Sequence, residues 1–98
     1  MSRRMSRADL LARIAALKPW LASEGLSRPR LFGSHARGEA NADSDVDLMV
    51  DLDRPLGLRF FALQDEVSAR LGLKVDLVTE AALAPDIRYT ALRDAVDA

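Results

Sequence analysis

Cysteine is missing from this sequence, and histidine occurs once, at His35. The first absence excludes disulfides and thiolate metal sites, and a single histidine is too few for a histidine-based metal centre. Any metal must therefore be held by carboxylates, whose hard oxygens suit Mg²⁺ or Mn²⁺. No apolar run approaches the roughly 20 residues that cross a bilayer, so no membrane association is expected. The start, Met1 to Arg7, is basic but leads into no apolar stretch of the secretory kind. The chain is accordingly expected in the cytoplasm. Excess charge of either sign is also missing: the net charge is −1. A long nucleic acid is then not expected as the main ligand, because such binding needs clustered positive charge. Arg3, Arg4 and Arg7 form the one dense basic cluster. It suits either a solvated tail or contact with an acidic partner.

What is present suits one small globular unit. Hydrophobic residues make up 49% and charged residues 30% of 98 residues. A second independent core would be hard to bury at this length, so residues 1–98 read as a single domain. Ser6 is positioned to cap a helix over residues 6–17, with Leu10, Leu11, Ile14, Leu17 and Leu21 at helical spacing. Pro19 should break or kink that run, and Gly25 should end it. Arg30 to Phe32 reads as a short strand ending at Gly33. Ser34 to Ala42 is rich in turn formers, with room for one helical turn. Asp45 to Leu52 alternates, with Val46, Leu48 and Val50 on one face and Asp45, Asp47, Met49 and Asp51 on the other.

Leu58 to Leu71 has the spacing of an amphipathic helix, its core side drawn from Phe60, Phe61, Leu63, Val67 and Leu71, with Gly72 closing it. Leu73 to Thr79 reads as a third strand. Pro85 opens a last helix with Ile87, Leu92 and Val96 facing inward. The order helix, strand, strand, helix, strand, helix implies an α/β (α+β) fold, a small mixed β-sheet with helices packed mainly on one face. Trp20, Phe60 and Phe61 suit an ordinary core, or an interface if exposed.

The chemistry concentrates in Gly33-Ser34, ten further residues, and then Asp45-Val46-Asp47. On a strand, residues i and i+2 point to the same side with Cα atoms about 6.7 Å apart. Side chains at that separation can converge on metals roughly 3.5–4 Å apart, as two-metal catalysis requires. Asp51 lies about 13 Å beyond Asp47 and is too distant to join them. Asp43 precedes the strand and suits the turn. Gly33 permits a sharp turn after a strand, where successive amides can cradle an anion. Ser34 can donate its hydroxyl to a phosphate oxygen, and Arg37 can offer a bidentate contact. Asp76, between apolar neighbours in mid-strand, needs a partner, a metal or water. Taken singly, each feature has a plain alternative: a polar strand face, a surface turn, or an edge-strand charge. Together they place an anion cradle beside metal-binding carboxylates.

The string LFGSHARGEANADSDVDLMV, with the later VDLVT, resembles the polymerase-β-like nucleotidyltransferase superfamily. The likeness is greatest to its smallest members, the minimal nucleotidyltransferase (MNT) domains of MntA-type antitoxins, which are paired with HEPN-domain toxins. It covers residues 8 to 96. The resemblance implies that Gly33 and Ser34 hold the triphosphate and that Arg37 supports the phosphates. Asp45 and Asp47 would bind two Mg²⁺ ions (Mn²⁺ also fitting). Asp76 would complete the metal site and serve as base. His35 is left open between a direct role and a supporting one.

The implied reaction is transfer of AMP from ATP to an acceptor hydroxyl, with release of pyrophosphate. The resemblance implies as acceptor a tyrosine of a HEPN ribonuclease toxin, silenced by a Mg-dependent protein adenylyltransferase acting as its antitoxin. Two other roles stay open: an antitoxin that neutralises by binding alone, and a small-molecule nucleotidyltransferase. Nucleotide base preference is carried by no motif.

Overall fold

In the computed structural model, which describes residues 6–41 and 43–98, the chain begins with a capped helix. Ser6 Oγ accepts from the Asp9 amide at 3.0 Å and starts α1, Arg7–Ala16. The run breaks at Leu17 and resumes as α2, Lys18–Ser23, with Pro19 in its first turn, where a missing N–H costs nothing. Strand β1, Leu26–Phe32, leads directly into the short helix α3, Gly33–Arg37. Strand β2, Val46–Leu52, is followed by α4, Arg59–Leu71, and by β3, Val75–Val78. A single 3₁₀ turn over Glu80–Ala82 precedes α5, Pro85–Asp94, and a two-residue strand β4, Val96–Asp97. Arg3, Arg4 and Ala42 lie outside the described residues. Arg7 donates to the Ala36 carbonyl at 2.7 Å and so ties α1 to α3.

The sheet runs in the order β3-β2-β1-β4. β1 is antiparallel to both neighbours, whereas β2 and β3 are parallel. A parallel pair cannot be joined by a tight turn, and α4 supplies the crossover. Alternation then divides the side chains between two faces. Leu31, Val46, Leu48, Val50, Val75 and Leu77 form one, and pack with Leu10, Ile14, Leu21, Leu63, Val67 and Leu71 from α1, α2 and α4. The second face carries a smaller cluster, Phe32 and Met49 beneath Ala91 of α5. The mixed sheet with most of its helices on one face matches expectation.

Several boundaries differ. β1 begins at Leu26 because Pro29 does not stop it: the register shifts between Ser27 and Arg30, a bulge with Arg28 at φ 49°. Proline tolerates a bulge because no ladder N–H is needed there. Arg30, only 5% exposed, is neutralised by Asp51 at 2.7 Å. Phe61 is 65% exposed, so it does not belong to the core side of α4. The buried stripe is Leu63, Val67 and Leu71, each four residues apart, and Phe61 lies off that line. Ile87 and Leu92 are likewise exposed, because α5 rests on the sheet through the small Ala91. Val96 belongs to β4, which pairs with β1 at Arg30 and Leu31. Trp20 is half-buried at the core edge, with the Arg70 guanidinium 4.0 Å from its ring centroid.

Leu48 is fully buried on the central strand β2. Leu48→Ala should therefore lower the unfolding free energy by about 3–5 kcal/mol. Leu52→Ala, at a position 43% exposed, should cost less than about 1 kcal/mol. Urea titration of both variants checks the assignment of faces.

Candidate active site

The second face of the sheet gathers the acidic residues. Asp47 on β2 stands in register with Asp76 on β3 and with Phe32 on β1. Register partners in a pleated sheet project to the same side, so the Asp47 and Asp76 carboxylates share one face. Asp45, two residues before Asp47, immediately precedes the strand. Lys74 Nζ lies 3.6 Å from its Oδ2 and partly offsets its charge.

Asp47 is half-buried, and its carboxyl is pushed above the usual range. Burial is the larger cause, followed by the negative charges of Asp76 and then Asp45; His35 and Arg37 act weakly in the opposite direction. Asp47 thus feels both of the other acids. Among the described residues, no group of three His, Asp or Glu side chains is gathered closely enough to grip a metal ion in this arrangement. The donor set is nevertheless all oxygen, and the crowding of negative charge at Asp47 is what a hard divalent cation relieves.

Gly33 explains how a phosphate could come so near. Its φ is 74°, and a Cβ added there would collide with the Asp47 carboxylate. Only glycine lets the β1–α3 bend lie against that acid. The first-turn amides of α3 have no acceptor within the helix. Ser34 follows at once, so bend and serine sit at the end of β1 next to the acidic face. The helix closes at Gly38, φ 74°, where the Glu39 amide donates to the Ser34 carbonyl at 2.9 Å. His35 Nε2 lies 3.3 Å from the Ser44 carbonyl and braces the loop that delivers Asp45.

Arg37, expected to support the phosphates, is held by two carboxylates. Its Nε donates to Glu39 at 3.0 Å and one terminal nitrogen to Asp94 at 3.1 Å. The hydrogen bond it donates to Glu39, then the one to Asp94, holds the guanidinium more firmly charged. Arg37 still lines the same concavity as Gly33, together with Asp86, Thr90 and Asp94 of α5. Those α5 residues escaped the sequence reading. The one available signal was their spacing, since positions 86, 90 and 94 recur every four residues on one helix face. Asp51, read as remote, is occupied elsewhere, pairing with Arg28 and Arg30. Asp43 is exposed, and its amide donates to Asn41 Oδ1 within the turn.

A small mixed sheet bearing an Asp-x-Asp strand beside a glycine bend is the scaffold of a nucleotidyltransferase domain. Residues 22–98 match the nucleotidyltransferase domain family, and the chain belongs to it. The protein adenylyltransferase MntA of Thermococcus cleftensis is 45% identical over 73 residues, 74% of this chain and 74% of that one. A chain from Methanocaldococcus jannaschii, provisionally designated a protein adenylyltransferase, is 34% identical over 80 residues, 81% of this chain and 86% of its own. Other chains from that organism align over 51–54% of this chain and 53–59% of theirs. A solved structure assigned as a minimal nucleotidyltransferase superimposes with a TM-score of 0.80 at 41% identity, covering 97% of this chain and 98% of that one. A toxin–antitoxin crystal structure with AMP-PNP shares the fold, with a TM-score of 0.72 at 22% identity over 89% of this chain and 70% of that one.

Because burial favours the protonated acid, the folded chain holds the Asp47 proton more tightly than the unfolded chain does. Its stabilising share is complete in acid and is lost as pH rises through and above the ordinary carboxylate range. Asp47→Asn should therefore raise the melting temperature of the metal-free protein by a few degrees at neutral pH. That gap should close as the pH is lowered through the carboxylate range, which calorimetry in chelator-treated buffer measures. Gly33→Ala should act oppositely, losing about 1–2 kcal/mol of stability to the left-handed backbone alone.

Proposed function

We propose that this chain is a Mg-dependent protein adenylyltransferase that moves AMP from ATP to a hydroxyl of a partner toxin and thereby acts as its antitoxin. The observation that carries this reading is the register of Asp47 against Asp76, with Gly33 opening space against the Asp47 carboxylate. A phosphate chain at Gly33 and Ser34 then lies next to a carboxylate pair. The names of the relatives support the same reaction, and the toxin–antitoxin neighbours support the same biological pairing. A HEPN-type ribonuclease is the partner proposed, with a tyrosine as acceptor. Among the described residues no helix is long and apolar enough to cross a membrane, and the reaction is proposed to run in the cytoplasm. The whole of residues 1–98 is proposed to act as one minimal domain.

Asp45, Asp47 and Asp76 would hold the divalent cations. When bound, Mg²⁺ supplies charge neutralisation at the phosphates and a lowered pKa for the attacking hydroxyl. The chain's own groups do the rest by position. Gly33 and Ser34 seat the phosphates and Arg37 supports them. Asp76, on β3 next to β2, takes the role of base for the acceptor hydroxyl in this reading. Such catalysis is mainly orientation and fixed electrostatics.

Incubation with α-labelled ATP, Mg²⁺ and the neighbouring toxin should label the toxin, and Asp47→Asn should reduce the rate by several orders of magnitude. Replacing the acceptor tyrosine of the toxin with phenylalanine should abolish labelling. An unlabelled toxin that is still neutralised by the Asp47→Asn protein would overturn the catalytic reading in favour of binding alone.

A further inference from the structure

One of the three acids already carries a counter-charge supplied by the chain itself. Lys74 Nζ lies 3.6 Å from Asp45 Oδ2. The basic groups that act on Asp47 are engaged with other partners: Arg37 with Glu39 and Asp94, and His35 with the Ser44 carbonyl. Lys74 is therefore the cation that touches the acidic group directly.

The backbone builds this contact. After α4 ends, the Leu73 amide donates to the Ser68 carbonyl at 3.2 Å and the Val75 amide to the Ser68 hydroxyl at 3.0 Å. Between them, the Lys74 carbonyl accepts from the Val46 amide at 2.9 Å. Lys74 is thus pinned to α4 on both sides and to the start of β2, beside the residue that precedes Val46, which is Asp45. The base of the lysine is fixed while its side chain is open to water.

That openness makes the contact one that can be given up. The Lys74 side chain is 77% exposed and that of Asp45 38%. An ion pair so open to solvent is weak. Among the described residues, no three acids are gathered closely enough to grip an ion. Binding a divalent cation requires the carboxylates to close in, and an ammonium on Asp45 opposes both that movement and the arriving charge.

Resting on the proposed metal-dependent transfer, we propose that Lys74 is a positioning residue that holds the Asp45 carboxylate in the cation-free chain and is displaced from it by the divalent cation. Lys74 keeps the acidic face ordered before loading and lowers its affinity for a bare cation.

The chain has two lysines, Lys18 and Lys74, and Lys18 lies on α2, so it serves as an internal control. The nucleotide-free wild type, Lys74→Met and Lys74→Arg are titrated with Mg²⁺ and followed by NMR of the backbone amides and lysine side chains, amide dispersion confirming the fold. In the wild type the Lys74 side-chain signal should move with the same midpoint as the Asp45 and Asp47 amides, while that of Lys18 stays still. Lys74→Met should bind Mg²⁺ about threefold more tightly, and Lys74→Arg no more tightly than the wild type. A Lys74 signal that stays still while the Asp45 and Asp47 amides move overturns the displacement. So does an affinity of Lys74→Met equal to or weaker than that of the wild type. In either case Mg-dependent labelling of the toxin by the wild type leaves the transferase reading intact. If Mg²⁺ moves these amides in none of the three proteins and the toxin is not labelled, the metal-dependent reading falls with it.

Discussion

Two aspartates held side by side on parallel strands set the terms for everything else in this molecule. Asp47 and Asp76 carry like charges at register positions on a half-buried sheet face. Left to themselves they would part. They stay together because the opposite face of the same strands is a tightly buried apolar layer. Val46, Leu48, Val75 and Leu77 are almost wholly enclosed. A slip of one residue would turn that layer outward, so the core locks the register and the register locks the acids. The Val46 amide donating to the Lys74 carbonyl at 2.9 Å starts the pairing two residues after Gly72 ends α4. The length of the crossover helix thus enters directly into the site geometry.

The same trade runs through the bend at Gly33. A left-handed backbone and contact with a carboxylate are both unfavourable for any residue with a Cβ. Glycine removes the steric part and leaves only its entropy to offset. The bend is braced from several directions: Ala36 is buried in the main core, Arg7 holds its carbonyl, and His35 reaches the Ser44 carbonyl. Stability is given up at Asp47 and Gly33, a pattern common to functional sites.

Helix α5 converts an open sheet face into a bounded site. It is the least apolar of the long helices, and it meets the sheet through Ala91, with Leu83 and Ala95 beside it. A small residue at the contact lets the helix come close, and Asp86, Thr90 and Asp94 then line a concavity with Gly33 and Arg37. The ion pair from Arg37 to Asp94 ties α3 to α5. The pair is partly exposed, so its worth lies in orientation more than in stability.

The candidate site residues could be picked out early because local rules govern them. Period-two alternation placed Asp45 and Asp47 on one face, a mid-strand acid marked Asp76, and the glycine-serine pair marked the bend. The helices of the main core were legible for the same reason, since Leu10, Ile14, Leu63, Val67 and Leu71 recur at helical spacing. Beyond that reach, tertiary contacts decided. Pro29 inside β1 is acceptable only because a bulge absorbs it, and Val96 forms a strand only because the β1 edge is there to pair with it. Phe61, Ile87 and Leu92 are apolar yet exposed, because burial depends on which neighbour a helix meets. The ion pair of Arg37 with Asp94, 57 residues on and 3.1 Å away, could not be read from either residue's neighbours in sequence. Spacing along a chain determines which side chains share a face. Only the packing of one element against another determines what that face confronts.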